Sequence, residues 1–596
     1  MVRLLSALGF SVFLLCCIAT SAQDSSTSNS PQALSSNATS SASAQPIAVS
    51  DASSSARANG VDTQPQPATL SDVMDRVVQR EHYFMAQMRH MHPLVETYLQ
   101  DLKNDPQGNP QPVKDQYFLG RLDMSDGPED TSFIGQPGFR RRMLAKLTGV
   151  YSLHYLPLGF AQMVVLDSDF QKKYYKFTFV RREFLGEIRC LVIDVQPREG
   201  EKSVRFLGRI WVEDQNYNVV RFNGTYYPQP KINFFFHFDS WRLNMRPGVW
   251  LPAYVYSEES DLKTGLTKTI HFKAQTRLWG YDLKGLNKNE EFTQILVDSP
   301  DSIKDQTDTA ADASPQMAER MWERQAEENA IDRLQKIGLI APPGEVDTVL
   351  STVVNNLLVT NNIDLQSDVH CRVLLTAPLE SFAVGHTIVL SRGLLDVLPD
   401  EAALAMVLAH ELSHIVLGHP FDTKLAFNDQ LFFPDEQSFQ RLDFKRNSVD
   451  EQAADAKALE LLKNSPYKDK LGNAGLFLRA LQEHAPELPN LIRAHLGNSL
   501  ATDKSIRMSN LLAAAPQLDE KRLDQIAALP LGGRIKVDPW TDRAELAKTK
   551  PVALTSSHEK MEFEVTPFFP YLTRLTMGGA EKVALSSGSP AANVPK

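Results

Sequence analysis

Cysteine is nearly absent: the 596 residues contain four. Cys16 and Cys17 fall inside the first apolar run, which leaves only Cys190 and Cys371 beyond it. Two thiols that far apart supply neither a disulfide framework nor a cysteine-based zinc site. Stability must then come from hydrophobic cores, and any metal must be held by His and carboxylate side chains. A second long apolar run is missing too, since no later segment reaches the roughly 18 uninterrupted apolar residues of a membrane helix. There is no excess of base: Lys and Arg sum to 62 against 72 Asp and Glu, for a net charge of −10. With no strongly basic segment either, the balance argues against nucleic acid as a partner. Gly and Pro, 30 and 35, fall far below what a collagen-like or low-complexity chain needs. What is present is ordinary for a folded protein, 42% hydrophobic and 22% charged, and the length calls for several domains.

Residues 1–22 have the form of a signal peptide. Arg3 starts it, Leu4 to Ala19 is apolar but too short to span a bilayer, and Thr20-Ser21-Ala22 offers small residues for cleavage. The expectation is an exported protein, periplasmic or secreted, with envelope association through an uncleaved anchor as the alternative. Residues 23–68 are rich in Ser and Ala and lack aromatics, so they read as a disordered tether. A helix is expected over Ser71 to Lys103. From about Gly149 the pattern turns to period two, as in Tyr175, Phe177 and Phe179. Arg205 to Glu213 and Tyr217 to Asn223 flank Asp214-Gln215-Asn216, which predicts a hairpin. Many strands with short polar turns predict a curved antiparallel sheet in a domain of residues 69–288. An acidic linker (289–316) and a mainly helical domain (317–520) follow, then a C-terminal extension (521–596) with a disordered tail. The predicted fold class is thus α+β and multidomain.

The chemistry lies in His410-Glu411-Leu412-Ser413-His414. Side chains four apart on a helix share a face, so the two imidazoles can grip one Zn²⁺. Glu411 projects beside that pair, where a carboxylate can take a proton from an activated water without ligating. Ala402 to Leu408 and Ile415 to Leu417 make the surrounding helix apolar, and polar groups inside such a helix are costly without partners. His419, on a helix continued past Leu417, is expected on the far face, away from His410.

A third ligand is needed. Downstream, Ser448-Val449-Asp450-Glu451-Gln452-Ala453-Ala454-Asp455 opens another helix, with Glu451 and Asp455 one turn apart. One acid can ligate while the other holds an imidazole by its second nitrogen. The competing account is a capping box with Ser448 as N-cap and Glu451 folding back. Glu436 is a rival ligand, but four residues on it has Gln440 where Glu451 has an acid.

These residues resemble the zinc metallopeptidases that include the CAAX prenyl protease and the heat-shock protease HtpX, over about Met317 to Leu512. The likeness rests on His410-Glu411-x-x-His414 and Glu451-x-x-Ala454-Asp455, with Phe382-Ala383 and Ser391-Arg392-Gly393-Leu394-Leu395 upstream. It implies a gluzincin-type domain with one Zn²⁺, endopeptidase activity on extended polypeptides, Glu451 as third ligand and Asp455 behind a ligand. It further implies that the strand His386, Thr387, Ile388, Val389 and Leu390 pairs with the substrate backbone. Two departures stand out: His386 replaces the second Gly of a pair after Gly385, and Ala501-Thr502 stands where the family has His-Pro. Arg507 and His495 are the candidates to take over charge stabilisation from that missing His. Gly208-Arg209-Ile210-Trp211-Val212-Glu213-Asp214 and Val249-Trp250-Leu251-Pro252-Ala253-Tyr254 resemble the half-barrel proteins that sort bacterial lipoproteins. That likeness implies a concave sheet for an apolar segment or acyl chain; the alternative is an aromatic core without a ligand. The Asp422–Asn447 connection, with Phe432-Phe433, is a candidate gate.

Overall fold

The computed structural model describes residues 69–134, 160–283, 315–420 and 435–517 apart from short internal gaps, together with 535–538, 543–546 and most of 563–575. The expected signal peptide and tether, most of the expected acidic linker, residues 422–434 of the candidate gate and the expected C-terminal tail lie outside the described residues. All described residues fall within one compact unit, Gln66–Lys596.

Helix α1 (Leu70–Met88) starts at Thr69, whose side chain and backbone exchange hydrogen bonds with Asp72 in a capping box. The expected helix to Lys103 ends fifteen residues early. Pro93 cannot continue a helix, and from Leu94 the chain alternates. Strand β1 (Leu94–Asn104) turns Val95 and Leu99 to one face and Leu94 and Tyr98 to the other. The β-pattern therefore begins well before Gly149.

Nine more strands complete the sheet: β2 (Pro110–Asp123), β3 (Glu129–Ser132), β4 (Tyr175–Leu185), β5 (Ile188–Pro197), β6 (Arg205–Glu213), β7 (Val219–Tyr227), β8 (Phe238–Arg246), β9 (Val249–Thr264) and β10 (Lys268–Trp279). Their order is β3-β2-β1-β10-β9-β8-β7-β6-β5-β4, antiparallel at every pairing. Register shifts at Phe179/Arg181, Trp211/Val212, Trp241/Arg242 and Ile270/Phe272 add local twist and bend the sheet. The expected β6–β7 hairpin is present. Its turn is held by the buried Glu213 carboxylate, which accepts from the N–H groups of Gln215, Asn216 and Asn218.

Each face of the sheet has its own cover. On one, α1 and Val164, Leu166 and Phe170 pack on Val95, Ile193, Ile210 and a cluster of phenylalanines. Phe206 and Phe238 meet Phe222 edge to face at 5.7 and 5.8 Å between ring centroids. On the other, Trp211, Trp241, Trp250, Tyr254 and Trp279 join the same hydrophobic cluster as the helical region. The segment 563–575 lies on this second face. Gln100 donates to Phe563 O (2.7 Å) and accepts from Val565 N (2.8 Å), and Arg574 donates to Glu213 (2.7 Å).

α1 is pinned to the sheet by a buried ion pair. Arg242 Nη1 and Nη2 donate to Glu81 Oε1 and Oε2 at 2.6 and 2.9 Å, with both side chains almost fully enclosed. Glu81→Ala leaves the guanidinium buried without its partner, so we expect a loss of about 3–5 kcal/mol. A lowered urea midpoint of the full chain, followed by tryptophan fluorescence, checks this; an unchanged midpoint contradicts it.

The helical region contains α2 (Pro315–Ile337), α3 (Glu345–Thr360), α4 (Arg392–Val397), α5 (Glu401–Val416), α6 (Asp435–Arg441), α7 (Ser448–Lys463) and α8 (Leu471–His484). Between α3 and α4 lies a small sheet of β11 (His370–Leu374), β12 (Ser381–Val384) and β13 (Thr387–Ser391), in the order β11-β13-β12. A last hairpin pairs β14 (Ile535–Asp538) with β15 (Arg543–Leu546). A large curved antiparallel sheet followed by a mainly helical region is the α+β, multidomain class expected from the sequence. No helix among the described residues is long and apolar enough to cross a membrane.

Candidate metal centre

Helix α5 begins where the Asp400 side chain accepts from Ala403 N (2.9 Å), and nearly every side chain from Ala402 to His414 is buried. His410, Glu411 and His414 are 4%, 4% and 2% exposed. Polar groups enclosed to that degree require partners. The first comes from α7, which packs across α5 and brings the buried Glu451 to the two imidazoles.

The donor groups of the three residues form a nearly regular triangle, with Glu451 turning one carboxylate oxygen to each imidazole. His410 Nε2 and His414 Nε2 are 3.3 Å apart, His414 Nε2 and Glu451 Oε1 are 3.4 Å apart, and His410 Nε2 and Glu451 Oε2 are 3.5 Å apart. A tetrahedral zinc with bonds of about 2.0–2.1 Å has ligand–ligand edges of about 3.3–3.4 Å, so the residues fit such an ion. Among the described residues this is the group of His, Cys and acidic side chains with the geometry to hold a metal. Burial pushes His414 down to about 4, which keeps its imidazole neutral, as a ligand must be.

Asp455, one turn after Glu451, lies 2.9 Å from His410 Nδ1 through Oδ1, and its Oδ2 accepts from Met508 N at 2.9 Å. The N-cap of α7 is Asn447, not Ser448. Its side chain accepts from Val449 N and Asp450 N and donates to Asp450 Oδ2 (2.6 Å). Glu451 is therefore outside the cap, which corrects the capping-box account. Glu436 sits on α6 and is not in the triangle.

Glu411 accepts from Ser381 Oγ at 2.7 Å, a contact that sequence spacing did not reveal. Arg507 reaches the site and is in contact with Glu451 Oε2; burial lowers it to about 10, still a cation at neutral pH. His495 stacks on Tyr117 at 5.4 Å, and its backbone N–H goes to Glu380.

The strand expected to meet substrate needs correction. β13, which holds His386's neighbours Thr387 to Leu390, is the central strand, bonded to β11 on one side and β12 on the other. Both outer strands have an edge away from β13: that of β11 is bonded to residues 339–341, and at that of β12 Arg446 Nη2 donates to Ala383 O at 2.9 Å. Gly385 makes the β12–β13 turn at φ +56°, and a Cβ there would run into the Glu327 carboxylate. That accounts for the glycine kept at 385.

His419 also departs from expectation. α5 stops at Val416, and Gly418 at φ +66° reverses the chain, so His419 turns back onto the helix end instead of continuing to the far face. Its N–H reaches His414 O at 3.0 Å. The glycine just past the apolar run was the signal for this.

No curated protein matches the chain. Among solved structures it is similar to a LolA superfamily protein from Nitrosomonas europaea (11% identity, 34% of this chain and 92% of the other, TM-score 0.18). It is also similar to a candidate outer membrane lipoprotein-sorting protein domain from Vibrio parahaemolyticus (10% identity, 36% and 95%, TM-score 0.20). Residues 346–432, which carry β11 to β13 and the whole of α5, match the model of Peptidase family M48, so the metallopeptidase resemblance first read from His410-Glu411-x-x-His414 holds for that segment.

Proposed function

We propose that the chain is an exported zinc endopeptidase acting on extended polypeptides, among them unassembled or misfolded envelope proteins. The observation that carries this reading is the buried triangle of His410, His414 and Glu451, with Glu411 beside it on the same helix. Zinc, when bound, supplies Lewis acidity, polarising the scissile carbonyl and making water acidic enough to lose a proton near neutral pH. The protein's own groups do the rest. Glu411, oriented by Ser381, takes that proton and passes it to the leaving nitrogen. Asp455 fixes the ring plane of His410. Arg507 is the cation nearest Glu451 and is assigned to the charge that develops on the carbonyl oxygen. The substrate backbone is assigned to the β12 edge at Ala383, in place of β13.

Metal removal tests the reading. Purified full-length chain should carry zinc and digest a reduced, alkylated protein. Treatment with a chelator should abolish digestion, and zinc should restore it. Holding metal at about 1,000 times Kd should also stabilise the fold by about 4 kcal/mol over the stripped protein. Undiminished digestion by metal-free protein sinks the proposal.

A further inference from the structure

The two ligating imidazoles are not supported alike. His410 Nδ1 faces a carboxylate, Asp455, at 2.9 Å. His414 Nδ1 faces another imidazole: His419 Nδ1 lies 2.8 Å away, with the rings edge to face at 5.0 Å. We propose that His419 is a positioning residue that accepts the His414 Nδ1 proton and so holds His414 in the tautomer that presents Nε2 to the metal. The proposal rests on the metal centre described above.

His414 Nε2 is the atom 3.3 Å from His410 Nε2 and 3.4 Å from Glu451 Oε1, so it is the donor atom and must carry a lone pair. A neutral imidazole has a single N–H, which is then on Nδ1. The group opposite that N–H must be an acceptor, so His419 Nδ1 is unprotonated and the His419 proton is on Nε2. That nitrogen points to the side of Asp450, whose Oδ1 is 4.0 Å away.

His419 is held in place for this task. Its backbone N–H donates to His414 O, and its carbonyl accepts from Arg446 Nη1 at 2.9 Å. Asp450 is in turn fixed by the Asn447 side chain at 2.6 Å. With Nδ1 turned to His414 Nδ1, His419 is not itself a fourth ligand through that atom. The line Asp450, His419, His414 thus mirrors the shorter line Asp455, His410 on the other side of the site.

The test is zinc affinity of the full chain, measured by competition with a chromophoric chelator. His419→Phe keeps a ring but removes the acceptor, and should weaken zinc binding about 10–100-fold. His419→Asn places Oδ1 where Nδ1 was and should stay within a few-fold of wild type. Metal-free melting temperatures of the two variants should agree, so that a folding defect is not read as lost affinity. Where His419→Phe does not fold, His419→Ala takes its place in the same comparison. Wild-type affinity in His419→Phe (or in His419→Ala), or an Asn variant as weak as the Phe variant, overturns the proposal. Failure of the wild type to take up zinc instead overturns the metal centre itself.

Discussion

Glu411→Gln is expected to lower peptide hydrolysis by about 10²–10⁴-fold while zinc content stays at the wild-type level. The amide occupies nearly the same volume and still accepts from Ser381 Oγ through its carbonyl, so α5 and both imidazoles keep their places. What it lacks is the basicity to take a proton from water. The paired measurement matters more than either half alone. Loss of zinc along with activity would move Glu411 into the ligand set. Activity near wild type would remove it from proton transfer and favour a metal-containing binding protein over an enzyme.

Glu451→Gln is the second large effect. Two imidazoles from one helix leave half of a tetrahedral ion's sites to water, and such a pair does not hold zinc tightly. Zinc should therefore fall to background after dialysis, while Glu436→Gln retains it. Asp455→Asn should lie between, about 10–100-fold weaker, because its oxygen orients His410 without touching the metal. A Glu451→Gln chain that keeps its zinc would remove Glu451 from the ligand set. Zinc titration of the three variants ranks them directly.

What could be read from the sequence was the part governed by one period at a time. The four-residue spacing of His410 and His414 and that of Glu451 and Asp455 each specify one face of one helix, and both faces meet as expected. Misreadings arose where a local rule ended. His419 was placed by extending a helix that Gly418 terminates. The substrate-facing role of the His386–Leu390 strand rested on the family resemblance alone, and alternation cannot reveal its pairing with β11, a segment separated in sequence. Ser381 and Arg446 reach the site from other elements, and no motif connects them to Glu411 or to β12. Part of the cover on the second sheet face was equally invisible, because it comes from residues 563–575.

That cover has a bearing on how the chain is made. Gln100 and Phe563, partners in one hydrogen bond, are 463 residues apart. At about 5–20 residues per second, a ribosome needs roughly 20–90 s to travel from one to the other. Asp115 waits almost as long for the backbone N–H of Leu491. During that interval the strands can pair and α1 can dock, and the helical region can join the tryptophan-rich face before residues 563–575 exist. The second face of the nascent sheet thus lacks part of its cover until residues 563–575 have been made.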